Sequence, residues 1–178
     1  MSAEYFLPFD TEKNSVRISQ GRNGPWSHFI HRNGQHSTNA VDFALPLGTS
    51  ILAMRAGVVF AIIDDSEDHY DGTDQGIGLS RRPGTTNLVA IEHDDGTLAY
   101  YLHFGCKDIF VKQSQRVRQG DIIGLTGESG WIGPVPHIHI QVNEGKSQKS
   151  LPITFENYDG SLEHDEIYPL SERERTRI

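Results

Sequence analysis

The stretch Val135-Pro136-His137-Ile138-His139-Ile140-Gln141-Val142, VPHIHIQV, decides how this chain is read. A β-strand sends residues i and i+2 to the same face. His137 and His139 therefore point one way, and Ile138 and Ile140 point the other way, into a core. A strand that turns both its imidazoles to one side usually has something for them to hold.

The segments around it also read as strands. AVDFALP (Ala40 to Pro46) is one, and GTSILAMRAGVVFAIIDD (Gly48 to Asp65) reads as two strands around a turn at Ala56-Gly57. NLVAIEH and LAYYLHF flank DDGT and form a hairpin that turns at Asp94 to Gly96. VKQSQRVRQGDIIGLTGESG alternates short strands with glycine turns, and SLPITF reads as a last strand. Met1 to about Val16, with its YFLPF, reads as an extended arm that packs aromatics on the core. Residues 21–39 and 66–86 read as long loops, and the charged tail after Tyr158 as partly disordered. Almost no segment has a helical period. The expected fold is mainly β: a single domain in which an antiparallel sheet forms an open groove walled by long loops. The expected parts are an arm over residues 1–27, the β domain over 28–145 and a C-terminal extension over 146–178.

Composition narrows the function. The 178 residues suffice for one domain with a core, and a mean hydropathy of −0.47 with 36% apolar residues is a soluble globular composition. A formal charge of −8 argues against a nucleic-acid binder, whose phosphate contacts need clustered Lys and Arg. It gives no reason to expect attraction to an anionic membrane or wall. Cys106 is the single cysteine, so the chain has no internal disulfide and no thiolate zinc site. Any metal must be held by His, Asp or Glu. A nucleophile reading of Cys106 beside His103 is the weaker one, because HFGCKD reads as a turn after a strand. The opening MSAEYFLPFD has no signal-peptide pattern, and no segment approaches transmembrane length. A cytoplasmic protein, export without a cleaved signal and a trimmed chain all fit.

Asp42 is an anomaly inside an apolar strand, with Val41 and Phe43 on the opposite face. Its carboxylate is either solvent-facing or a buried ligand. His103 ends another apolar strand. Three strands thus offer Asp42, His103, and His137 with His139. A catalytic zinc site takes three protein ligands from His, Asp or Glu and leaves one position for water. Zinc lowers the pKa of that water and polarises a carbonyl, and two further histidines can move protons and steady an oxyanion. The residue types fit metal-assisted hydrolysis. The helical HExxH signature, a nucleophile elbow and a P-loop are absent.

The blocks QGRNGPWSH, AVDFALPLGTSILAMRAGVV, NLVAIEHDDGTLAYYLHF, VRQGDIIGLTGESG and PHIHIQV, in this order, resemble the lysostaphin-type (LytM-type) zinc endopeptidases. The resemblance covers roughly His28 to Val142, and YFLPF and LPITFEN resemble flanks seen in one branch of that family. GDIIGLTG alone would fit any biotinyl- or lipoyl-like β domain, to which this fold is related. The resemblance implies Zn²⁺ held by Asp42, by His139 and by a third ligand, with His103 and His137 as catalytic histidines. It implies a hydrolase that cuts peptide cross-links or stem peptides of peptidoglycan, often next to glycine. The first ligand stays open. The position four before Asp42 is Thr38, which cannot ligate; the SH pair Ser27-His28 points to His28, with His36 the alternative and His31 behind it.

Other residues have plainer readings. His93 supports the hairpin turn, and the DDSEDHYDGTD run around His69 is a solvated insert without the spacing of an EF-hand. Tyr101, two residues before His103, shares its face and either packs, the preferred reading, or lines the groove. The expected partner is a peptidoglycan peptide, with no nucleic acid and no membrane span, and the expected state is a monomer. Two other functions remain: an inactive relative that binds peptidoglycan or a protein through the same groove, and a cytoplasmic carrier or other metal-binding β protein. A carrier needs an exposed lysine at a hairpin tip, and no MKM-like turn is present.

Overall fold

The computed structural model describes residues 5–24, 27–28, 36–67, the backbone of 69–70, 86–132, 135–147 and 149–163. Readings that rest on His31, on the side chain of His69 or on His164 lie outside these residues. No helix is present among the described residues, and so none is long and apolar enough to cross a membrane.

The strands are β1 (Ile18–Gln20), β2 (Val41–Ala44), β3 (Ser50–Leu52), β4 (Gly57–Ile63), β5 (His69–Tyr70) and β6 (Leu88–Glu92). They continue with β7 (Leu98–Leu102), β8 (Phe104–Ile109), β9 (Arg116–Val117), β10 (Ile122–Thr126), β11 (Gly130–Trp131) and β12 (His137–Asn143). A seven-stranded antiparallel sheet runs in the order β1-β2-β12-β7-β6-β4-β9, and β3-β10-β8 forms a second, three-stranded sheet. β11 and β5 pair parallel. The two segments expected around Ala56-Gly57 are both strands, but they belong to different sheets. β6 and β7 form the expected hairpin, with Gly96 at φ 80°, a left-handed turn position that suits glycine.

The core lies between the sheets. Val41, Phe43, Ile138, Ile140, Val89, Ile91 and Tyr101 come from the large sheet, and Ile51, Phe104 and Ile123 from the small one. Tyr5, Leu7 and Phe9 of the arm and Ile153, Phe155 and Leu162 beyond the last strand join the same core. SLPITF does not form a strand: it is held by isolated bridges, Asn143 to Ser150 and Tyr5 to Phe155, and its apolar residues serve as core plugs. β1 was not legible as a strand, because ISQ is short and sits beside a loop.

The register of the large sheet places the site. Ile138 faces Phe43 and Ile140 faces Val41, on the core side. His139 pairs with Asp42 and His137 with Ala44, on the open side. The period of two read from VPHIHIQV is thus the period of the sheet.

Candidate metal centre

Asp42 is 4% exposed and is surrounded by imidazoles. Its Oδ1 lies 2.8 Å from His139 Nδ1 and 3.2 Å from His28 Nε2, and these two nitrogens are 3.3 Å apart. The edge of a tetrahedron with bonds of about 2.0–2.1 Å, the length of zinc bonds to nitrogen and oxygen, is about 3.3–3.4 Å. Three donors of the right type therefore converge at near-tetrahedral spacing, and the residues present fit a zinc ion. This is the one cluster of metal-ligand type among the described residues. The backbone of His36 instead bridges to Lys149, and its ring is not part of the cluster.

Each supporting contact fixes a ring. His28 Nδ1 donates to the Gly21 carbonyl at 2.7 Å, so its Nε2 carries the lone pair that faces Asp42. His137 Nδ1 donates to the Val135 carbonyl at 2.8 Å, and its Nε2 lies 3.7 Å from Asp42 Oδ2. His103 Nδ1 donates to the Ser129 carbonyl at 2.8 Å. The rings of His103 and His137 meet edge to face with centroids 4.8 Å apart. Two imidazoles, each with its Nδ1 committed to a backbone carbonyl, thus stand beside the three-donor cluster.

His103 reaches this position by breaking its strand. Tyr101 sits on the core face, where it pairs with Ile140 and its hydroxyl accepts from Met54 N at 2.8 Å. Strict alternation would send His103 to that same face. His103 instead has φ 78°, left-handed backbone that a non-glycine residue seldom adopts. The expectation that Tyr101 and His103 share a face fails for this reason, and Tyr101 packs. The conformation is held from both sides: His103 N donates to Asn87 O at 3.0 Å, and Gly127 N donates to His103 O at 2.8 Å. A Cβ at Gly127 would overlap the Gly105 backbone, so only glycine allows this approach. Ser129 Oγ accepts from Asn87 N at 2.9 Å and donates to Phe104 O at 2.8 Å, which ties the carbonyl that holds His103 to the same frame.

The electrostatics follow from burial and from these neighbours. Burial resists the charge on Asp42, but the three histidines around it hold its carboxyl well below the usual range. Burial also opposes the cation on His28, yet the Asp42 charge and hydrogen bond outweigh it and raise its pKa. In His139 burial wins and the pKa falls. Burial, with His137 and His139 as neighbours, pushes His103 down to about 3, so it is neutral around pH 7.

Sequence reading missed Gln20, Asn87 and Ser129. Gln20 Nε2 donates to Asp42 Oδ2 at 2.8 Å and to Ser27 Oγ at 2.9 Å, and its Oε1 accepts from Ser27 N at 3.0 Å. One buried carboxamide thereby links Asp42 to the segment that carries His28. A polar residue opposite Asp42 could have been suspected from Gln20 ending an ISQ run, had that run been read as a strand. Asn87, fully buried, was hidden as the first residue of an apolar strand. His93 closes its hairpin, with its N donating to Thr97 O and its carbonyl accepting from Gly96 N, both at 2.9 Å.

Comparison with known proteins adds to this geometry. The sequence model described as Peptidase family M23 matches residues 36–151. A peptidoglycan DD-endopeptidase of Vibrio cholerae, ShyA, is 31% identical over 104 residues, which are 58% of this chain and 20% of that protein. A zinc-containing peptidase from Vibrio cholerae, known from its crystal structure, is 26% identical with a TM-score of 0.55, over 84% of this chain and 39% of that one. The solution structure of lysostaphin superposes with a TM-score of 0.57 at 21% identity, over 97% of this chain and 62% of that one, which speaks for the fold. The chain spans a third or less of the length of the curated relatives it matches.

Proposed function

Because the chain belongs to peptidase family M23, we propose that it is a zinc-dependent endopeptidase that hydrolyses peptide bonds in peptidoglycan cross-links or stem peptides. The observation that carries this reading is the convergence of His28 Nε2, Asp42 Oδ1 and His139 Nδ1 beside the rings of His103 and His137. The name of the Vibrio cholerae relative, a peptidoglycan DD-endopeptidase, supports the substrate class.

His28, Asp42 and His139 would hold the metal. A bound zinc ion supplies Lewis acidity toward a carbonyl and lowers the pKa of water to about 7. The chain supplies the rest. His137, its Nδ1 committed to the Val135 carbonyl, offers Nε2 as the atom that takes a proton from the attacking water. His103, its Nδ1 committed to Ser129, offers its Nε2 lone pair as a second acceptor that orients the water, and the proton taken up by His137 is the one returned to the leaving amine. Gln20 keeps Asp42 Oδ2 occupied and so leaves Oδ1 for the metal.

The test is digestion of purified peptidoglycan by the zinc-loaded chain, with the released fragments identified by mass spectrometry. We expect newly freed peptide termini, none after chelation or in His139→Ala, and recovery of the wild type when zinc is returned. Retention on peptidoglycan without cleavage, at full zinc content, would make the chain a binding module instead.

A further inference from the structure

The open face of the large sheet does not stop at Asp42. It continues past Ala44, which shares Asp42's side of β2 and pairs with His137. There it enters a groove of about 380 Å³, within the size range of small-ligand sites. Its apolar lining is Leu45, Pro46, Val135 and Pro136, and its charged lining is Lys13 and Arg17.

This groove is joined to the candidate catalytic apparatus by hydrogen bonds. Val135 supplies the carbonyl that holds His137 Nδ1, and Leu45 N donates to the Pro136 carbonyl at 3.1 Å. Arg17 O accepts from Ala44 N at 2.9 Å, so the backbone of the arginine is tied to the strand that carries Asp42. A peptide lying along the open face would therefore leave the metal centre over His137 and enter between the prolines and the two cations.

The charge of the groove is local. The chain carries a formal −8, and a second groove of about 250 Å³, which includes Ser129, has Glu67 and Glu128 in its lining. Lys13 is already paired with Asp10 at 3.0 Å. Arg17 is exposed, and no ion pair engages it among the described residues. A guanidinium on a groove wall recognises a carboxylate through two parallel hydrogen bonds, geometry that an ammonium cannot reproduce.

We propose that the Lys13–Arg17 groove is the substrate subsite on the His137 side of the metal centre and takes a carboxylate-bearing residue of the peptide, with Arg17 as the anchor. The inference rests on the endopeptidase reading and deepens it: it assigns one side of the cleft to the acidic part of the stem peptide. Arg17 is a specificity-determining residue in this view, and it touches no reacting atom.

The test uses the zinc-loaded full chain and two probes, a synthetic peptidoglycan stem peptide with its carboxylates free and the same peptide with them amidated. Calorimetry gives the affinity of the wild type, Arg17→Ala and Arg17→Glu for both, and each protein also digests whole peptidoglycan. The wild type should prefer the free-carboxylate peptide by about fivefold, in line with an exposed bidentate pair. Arg17→Ala should erase that preference and Arg17→Glu should invert it, at unchanged zinc content, and high salt should weaken it in the wild type. Equal affinity of the wild type for both probes, binding of neither, or a preference that survives Arg17→Ala overturns the proposal. If peptidoglycan is still digested in those cases, the endopeptidase reading stands and only the groove assignment falls. If it is not, both fall.

Discussion

Gln20 Nε2 lies 2.8 Å from Asp42 Oδ2, and the same amide nitrogen lies 2.9 Å from Ser27 Oγ, next to His28. A carboxylate has two oxygens, and a ligand with one oxygen tied down presents the other in a fixed direction. Gln20→Ala should weaken zinc binding by about 10- to 100-fold, the usual effect of losing such a support. Competition with a chelator reads this directly, and the visible spectrum of the cobalt-substituted protein reports the change in ligand geometry. An unaltered affinity and spectrum would reduce Gln20 to a packing residue.

The choice between the two histidines of the first loop has a clear measurement. His28 Nε2 is 3.2 Å from Asp42 Oδ1, whereas the backbone of His36 bridges to Lys149. His28→Ala should lose stoichiometric zinc, and His36→Ala should keep it. Zinc lost only in His36→Ala would mean that the loop supplies its ligand from the other end.

The frame around His103 predicts a loss of turnover with little change in protonation behaviour. In Ser129→Ala the carbonyl that accepts from His103 Nδ1 remains, while the hydroxyl that accepts from Asn87 N and donates to Phe104 O is gone. Leaving the buried Asn87 amide without its partner costs about 1–3 kcal/mol of stability. The left-handed conformation of His103 should then be less firmly held, and kcat should fall by about 10- to 100-fold with KM and the pH optimum unchanged. A shifted pH profile would show that the hydroxyl acts on the imidazole itself.

Much of this was legible in the chain because it depends on local periodicity. The alternation in VPHIHIQV and AVDFALP gave both the core face and the site face, and the sheet register joins His139 to Asp42 across them. What was not legible depends on backbone that leaves the period. His103 faces the site through a left-handed φ, so counting residues from Tyr101 puts it on the wrong side. Gln20 reaches Asp42 through an irregular pairing of β1 with β2, where Ile18 faces Phe43 but Gln20 faces Asp42. SLPITF has the apolar content of a strand, yet its residues fill the core from an irregular path. Composition cannot distinguish burial in a ladder from burial by plugging.

At the far end of the sheet, His93 predicts how stability responds to acid. Its Nδ1 donates to the Ala56 carbonyl at 2.9 Å, its ring stands edge-on to Tyr5, and its Nε2 is buried with no hydrogen-bond partner among the described residues. Burial lowers its pKa, and the nearby Arg55 adds to this while Asp94 and Asp95 work against it. The unfolded chain, with a histidine pKa near 6.5, therefore binds a proton more readily than the native one. The contribution of neutral His93 to stability is complete above that value and is lost as pH falls from there toward the lower folded pKa, at no more than about 1.4 kcal/mol per pH unit. His93→Phe keeps the ring against Tyr5 and removes the titration. Denaturant unfolding of both proteins at one zinc concentration, at pH 8 and again below pH 6, makes the zinc linkage common to the two. The variant should lose less stability on acidification than the wild type, and parallel losses would show that His93 is protonated in the folded protein without penalty.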